Sequence, residues 1–482
     1  MELTTLFPLF TPAVGGWILA FYAVVVLGLT YSYARGYHTN KESYLVARRE
    51  LGSLQGSMSI GAAWAWAPGM FIAAQQAYQN GVVGLFWFTI GNFLTLILFG
   101  YFAKLLRERK PDGFTISSYL KEKFSGRVQA IVFIELAMLA VCSFAINVLA
   151  GSKSVEVLTG MNYHVVSVLL ALIAIAYSIP NGLKASVVTE IFKISMLWIG
   201  LLILVPASIV AAGGIDIVTA GLGGITGQGT SLFSSFGWGV FASVGFATAL
   251  GHMGAPWGDN SFYQRAFAIR KDKVQRSFVQ GSFIFVVVPL LTGVLGLIAA
   301  GLAYQIPKEL VSYTNLLVVG SLLPSWAAMF YLFILFAGLV SVLDSQLASI
   351  GNIFGHDVYN KVNGGKSSSS ITYSRIGMVL LIIAGLAIAN WPGMTLLTIF
   401  LFFGILRATV WLPIMFSLWN DKLVSERGMF WGILIAYLVG FTTYVYGQNF
   451  GGGSSVALIG TCLAVFGSGA LALLITALDR KI

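Results

Sequence analysis

The sequence predicts an all-α integral membrane protein of about thirteen transmembrane helices, two of them broken in mid-membrane. Composition is the first ground: 57% of the residues are hydrophobic and only 10% are charged, against roughly 25% charged in a soluble domain. The second is a succession of apolar stretches near the about 20 residues that a spanning helix needs. They fall near 15–32, 51–80, 82–106, 128–149, 163–180, 185–212, 235–257, 277–304, 320–352, 374–391, 394–418, 428–447 and 455–478. The third is a pair of breaks, Ala67-Pro68-Gly69 in the second stretch and Ala255-Pro256-Trp257-Gly258 in the seventh. Pro and Gly together are tolerated at membrane depth where the freed backbone lines a cavity. Two breaks in matching places of two half-chains point to an inverted-repeat architecture with a binding site between them.

The elements follow in order. The first stretch has Glu2 and no Lys or Arg before Arg35, unlike the basic leader of a secretory signal, so it reads as a retained helix. An odd number of spans puts the termini on opposite sides. With the N-terminus outside, the cytoplasmic loops carry 24 of the 28 Lys and Arg, among them Arg48, Arg49, Lys104, Arg107, Arg109, Lys110, Arg265, Arg270, Lys271 and Lys273. Outside loops hold only Lys153 and Lys308, while Lys193 and Arg407 lie within spans. This bias predicts an N-out, C-in topology, and the net charge of +10 is a matter of topology and not of nucleic-acid binding. The short low-complexity run Gly364 to Ser370 is a linker between the ninth and tenth spans.

Enzyme classes are disfavoured. Cys142 and Cys462 fall inside apolar spans, which removes a disulfide framework or CxxC site, and His38, His164, His252 and His356 are scattered along the chain. No tightly bound cofactor is expected.

Four ordered motifs carry a resemblance. They are Phe114-Thr115-Ile116-Ser117-Ser118-Tyr119-Leu120, Asn181-Gly182-Leu183-Lys184-Ala185 with Thr189-Glu190, Gln264-Arg265-Ala266-Phe267-Ala268, and Ser341-Val342-Leu343-Asp344-Ser345-Gln346-Leu347 with Asp357-Val358-Tyr359. In that order they resemble the signatures of the sodium/solute symporter family, relatives of the proline and glucose symporters. The resemblance spans nearly the whole chain. It implies a five-plus-five inverted repeat of the amino-acid-transporter type: an extra helix at about 15–32, a first repeat at about 51–212, a second at about 235–418 and two C-terminal helices at about 428–478. Trp64-Ala65-Trp66-Ala67 with Gly84-Leu85-Phe86-Trp87-Phe88, and Asp259 to Arg265, are similar to the urea/proton symporter branch of fungi and plants.

The same resemblance implies an ion site between the first broken helix and the ninth span. It places carbonyl ligands on Ala62, Ala65 and Gly338 and a hydroxyl on Ser341. A hard cation takes oxygen ligands, which a broken helix can supply. The second hydroxyl position is Val342, which offers no oxygen, so the standard sodium site is in doubt. Asp344 and Ser345 are candidates to restore it, and Asp344 is also a candidate proton carrier. Glu190 matches the family's acidic residue at the cytoplasmic end of its helix, a waypoint for an ion leaving inward; standing three residues from Lys193, it also has a candidate neutralising partner there.

Charges within spans are functional suspects. Arg407 is expected to pair with Asp259 or Asp344, to hold a substrate carboxylate, or to snorkel to an interface. Asp259 is expected to line the substrate cavity, with Trp64, Trp66 and Trp87 as its walls and gates. His252 is a candidate proton relay, and Glu135 reads as a packed carboxyl.

The expected function is a secondary active, cation-coupled (Na+ or H+) symporter in the plasma or inner membrane. Its partners are the bilayer, the cation and a small polar metabolite such as urea or a small amino or carboxylic acid, with oligomerisation left open. An uncoupled uniporter and a sensor subunit are the alternatives.

Overall fold

The apolar stretches do become helices in the computed structural model, which describes residues 7–34, 40–364, 369–449 and 453–480. The α-helices among them are α1 (Pro12–Ala34), α2 (Lys41–Val46), α3 (Ser53–Trp64), α4 (Ala67–Arg109), α5 (Ile116–Lys123), α6 (Gly126–Thr159), α7 (Tyr163–Ala212), α8 (Ile215–Ala220), α9 (Ser235–Val240) and α10 (Phe246–Gly254). They continue as α11 (Asn260–Ala268), α12 (Val274–Gly301), α13 (Thr314–Leu322), α14 (Ser325–Ile353), α15 (Tyr359–Asn363), α16 (Ser370–Ala389), α17 (Leu396–Trp419), α18 (Glu426–Asn449), α19 (Gly453–Cys462) and α20 (Ser468–Asp479). Within the described residues, 10 helical segments are long and apolar enough to cross a membrane. The expected spans 51–80, 235–257 and 394–418 are not separate members of that set. The first two are assembled from short helices around the breaks, and the third becomes α17.

Two glycines let long helices fold back. Gly81, inside α4, has φ 63° and ψ −150°, and Gly182, inside α7, has φ 61° and ψ −150°. Those angles suit glycine, and a Cβ on Gly81 would stand 2.2 Å from the Leu222 carbonyl oxygen. Beyond the turn the chain doubles back, since a Cβ on Gly84 would come within 2.5 Å of the Gln76 carbonyl oxygen.

Both breaks form, slightly displaced. Ala65 (φ −78°, ψ 58°) and extended Trp66 (φ −87°, ψ 171°) separate α3 from α4, so the first break precedes Ala67-Pro68-Gly69 instead of falling on it. Pro68 lies in the first turn of α4, where a missing N–H costs no helical bond. At the second break a 3-10 turn, Ala255–Trp257, leads through Gly258 to extended Asp259 (φ −112°, ψ 107°), which caps α11.

α14 forms the core. In an apolar 18-residue window of Ser325–Val362, which begins with α14, 78% of the residues are buried, against 28% in the corresponding windows of α1 and α16, which present apolar faces outward. α3 lies against α12 and α7, and α14 against α7 and α6. The two broken elements are also stitched by backbone: Leu51 N–H donates to the Ala268 carbonyl at 3.1 Å and Arg270 N–H to the Leu51 carbonyl at 3.0 Å. Arg265, expected in a cytoplasmic loop, is instead fully buried in α11, because a buried carboxylate neutralises it.

Candidate functional site

The broken backbone at Ala65 and Trp66 faces α14. A Cβ on Gly338 would meet the Met70 sulfur at 2.9 Å and the Ala65 carbonyl oxygen at 3.5 Å, so the structure brings Ala65 and Gly338 together. The Ala62 carbonyl takes the Ala65 N–H at 3.3 Å. Ser341, one turn along α14 from Gly338, is buried, and its Oγ has no hydrogen-bond partner among the described residues. Val342 is buried beside it in sequence and supplies no oxygen.

A network of four ionisable side chains follows. Lys193 Nζ lies 2.7 Å from Asp344 Oδ2, and the Tyr177 hydroxyl donates to the same oxygen at 2.9 Å. The hydroxyls of Ser186 and Thr189 approach the Asp344 carboxylate at 3.3 Å each. Arg265 pairs with Glu190, which also accepts from Ser59, from Ser186 at 2.9 Å and from Ser345 at 2.7 Å. Arg265 further donates to Ser345 Oγ at 2.8 Å. The expected neutralisation of Glu190 by Lys193 is therefore replaced by two crossed pairs, each joining α7 to another element. Asp344 is the partner of Lys193 and not of Arg407.

Aromatic rings fill the space beside the first break. Trp64 packs on Phe262 (5.2 Å) and Trp66 (6.0 Å), and Trp66 on Phe400 (5.8 Å) and His252 (6.2 Å). The Arg407 guanidinium stands over Trp66 at 5.4 Å and Phe400 at 5.9 Å. It is 1% exposed, which excludes snorkelling. His252 Nδ1 contacts Asn92 at 3.2 Å. Trp87 lies apart, packed on Phe241 at 4.6 Å, because its side of α4 meets the π-helical turn Phe241–Gly245. Asp259 accepts from the Ser261 backbone N–H at 2.8 Å and from Gln346 Nε2 at 2.9 Å. It closes a helix start and does not line the open cavity. Glu135 is buried and accepts from Thr409, a packed carboxyl as expected.

That cavity has a volume of about 1350 Å³. It runs from exposed Lys308 and Glu309 to buried Ile72, Thr248 and Phe400. Phe400 thus separates the cavity from Trp66 and Arg407. Sequence reasoning missed Phe400, one of 35 phenylalanines. It also missed Ser59, Tyr177 and the pairing of Arg265.

Discontinuous helices meeting around buried ionic groups, with a deep cavity beside them, are the architecture of the membrane-transporter class. The chain belongs to the sodium:solute symporter family, whose model matches residues 44–436. It is 24% identical over 460 residues to a urea-proton symporter of Oryza sativa subsp. japonica, covering 86% of this chain and 63% of that protein. To the sodium/pantothenate symporter of Haemophilus influenzae it is 22% identical over 422 residues, 83% of each chain. The chain spans about half to two thirds of the length of the urea transporters it matches. Its fold is similar to that of a substrate-bound, outward-open Na+-coupled sialic acid symporter, with a TM-score of 0.77 and 16% identity over 96% of this chain and 97% of the other. A nucleobase-cation-symport-1 family transporter also shares the fold, with a TM-score of 0.60 and 12% identity over 92% and 95%.

Proposed function

We propose that this chain is a cation-coupled symporter that carries a small polar solute of the urea class by alternating access. One observation carries the reading: the cavity descends from exposed Lys308 and Glu309 and ends at Phe400, beside the broken helices, while the other side of the breaks is filled by the Arg265–Glu190 and Asp259–Gln346 contacts. A site open on one side and packed on the other is one half of an alternating cycle.

In this reading ten of the thirteen spans form the five-plus-five inverted repeat, with boundaries at about 51–212 and 235–418, and the other three are the helix before it and the two after it. The N-terminus is outside, the C-terminus is cytoplasmic, the membrane is the plasma or inner membrane, and the cavity faces outward. Trp64 and Trp66 flank the solute, Arg407 and Asp259 supply its polar contacts once the packed side opens, and the coupling cation, sodium or a proton, acts in the region of Ala65, Gly338, Ser341 and Asp344. Glu190 lies on the inward exit path. The similarity to urea transporters supports the solute class.

The test is uptake of radiolabelled urea into proteoliposomes under separately imposed sodium and proton gradients, with proline, acetate and sugars as competitors. Accumulation above equilibrium supports the reading. Absence of urea flux with transport of a competitor replaces the solute. Val342, which leaves the ion site an oxygen short, favours a uniporter as the second reading, which equilibration without accumulation would establish.

A further inference from the structure

Among the described residues, the formal charges of the four buried side chains paired around the ion site sum to zero without any added ion. Glu190, Asp344 and Arg265 are 0% exposed and Lys193 is 1% exposed. Each carboxylate has its own cation, Lys193 on Asp344 at 2.7 Å and Arg265 on Glu190. Hydroxyls crowd the remaining acceptor positions: Tyr177 and Thr189 beside Asp344, Ser59 and Ser345 beside Glu190, and Ser186 within reach of both, nearer Glu190.

A sodium ion at such depth needs either an unneutralised carboxylate or a full set of oxygens. Both carboxylates are spoken for, and Val342 leaves the oxygen set incomplete. A sodium added here would leave one buried positive charge uncompensated. Lys193 is the residue that creates this condition, because with a neutral side chain in its place Asp344 would stand as an unpaired buried carboxylate one turn from the unpartnered Ser341 hydroxyl.

We propose that Lys193 is a resident cation: its ammonium fills on Asp344 the charge that a sodium ion would otherwise supply, so the site neither binds nor needs sodium. The proposal deepens the transporter reading and rests on it. A tethered ammonium stays with α7 through the cycle, so no sodium crosses with the solute. Replacing Lys193 by an uncharged side chain of similar length converts the site into a sodium site, with Asp344 as counter-charge.

The test is equilibrium binding of radioactive 22Na+ to the purified full chain, for wild type, Lys193→Met, Lys193→Arg and the double variant Lys193→Met/Asp344→Asn. Wild type, Lys193→Arg and the double variant are expected to show no saturable binding at physiological sodium. Lys193→Met is expected to gain saturable binding, and sodium is expected to raise its urea uptake about tenfold while leaving wild type unchanged. Saturable sodium binding by wild type, or a folded Lys193→Met protein that binds none, overturns the proposal. The wild-type arm needs no variant, so a misfolded Lys193→Met leaves the proposal falsifiable. The binding arm needs no solute, so failure of urea transport, which would sink the solute reading, is distinguishable from failure here.

Discussion

The side-chain oxygen of Asn147 on α6 takes the backbone N–H of Ala67, the first residue of α4, at 3.0 Å. A helix start leaves N–H groups without intrahelical partners, and Trp66, which precedes α4, makes no side-chain cap. Asn147 therefore caps the helix from outside the chain segment, and its own Nδ2 is held by the Ser143 carbonyl at 2.7 Å. Asn147→Ala is expected to lose about 1–3 kcal/mol, the cost of an unsatisfied buried donor. Asn147→Asp, which keeps the acceptor but buries a carboxylate without a cation and sets it against the Ser143 carbonyl, should lose at least as much. Thermal unfolding of the two variants in detergent checks the order, and an Asn147→Ala midpoint equal to wild type would refute the capping role.

Arg265 and Glu190 form a buried pair with three hydroxyls around the carboxylate. Removing one partner of such a pair strands the other charge, at a cost of about 3–5 kcal/mol, whereas removing both is often nearly neutral. Arg265→Met is expected to destabilise by that amount, and Arg265→Met/Glu190→Gln to recover most of it. A double variant no more stable than Arg265→Met would show that the loss comes from packing and not from a stranded charge.

These two residues show where the sequence is readable and where it is not. Spans and breaks are local properties: hydropathy marks α12 or α14, and Pro68 and Pro256 mark the breaks to within three residues. Pro68 misplaces the first break only because proline begins a helix as readily as it ends one. Asn147 carried a legible signal, an amide in an apolar span. Arg265 carried a misleading one, since it opens a basic run through Arg270, Lys271 and Lys273 that reads as a loop. Its partner is 75 residues away, and nothing local in charge patterning tells which arginine of such a run turns inward. Trp87 and Phe400 make the same point for aromatics: residue type shows neither which face of the helix looks inward nor what meets it there.

Phe400 closes the cavity floor over Trp66 and Arg407, 5.8 Å and 5.9 Å away. Phe400→Ala is expected to open the cavity onto the Trp66 ring. Acrylamide quenching of tryptophan fluorescence should then rise relative to wild type. That increase should vanish in Phe400→Ala/Trp66→Phe, which lacks the newly reached ring. Equal quenching in wild type and Phe400→Ala would place the barrier elsewhere.

Asp421, in the loop between α17 and α18, joins the ends of α4 and α5 to α17: it accepts from Lys123 at 2.6 Å and from Arg109. Its carboxyl is held below the ordinary value of 3.8, chiefly by the hydrogen bond from Lys123, with the charges of Lys123 and Arg109 adding to the effect and partial burial opposing it. A carboxyl lowered on folding contributes stability at pH above its unfolded value and loses it as pH falls through the lowered one. Protection of the α5 backbone from hydrogen exchange, corrected for the intrinsic rate, is therefore expected to stay flat from neutral pH to about pH 4 and to fall below it. Asp421→Asn should show the loosened α5 already at neutral pH, with little further change on acidification. Wild-type protection that declines well above pH 4, or an Asp421→Asn profile identical to wild type, would show that the Lys123 and Arg109 contacts do not hold this end of the bundle together.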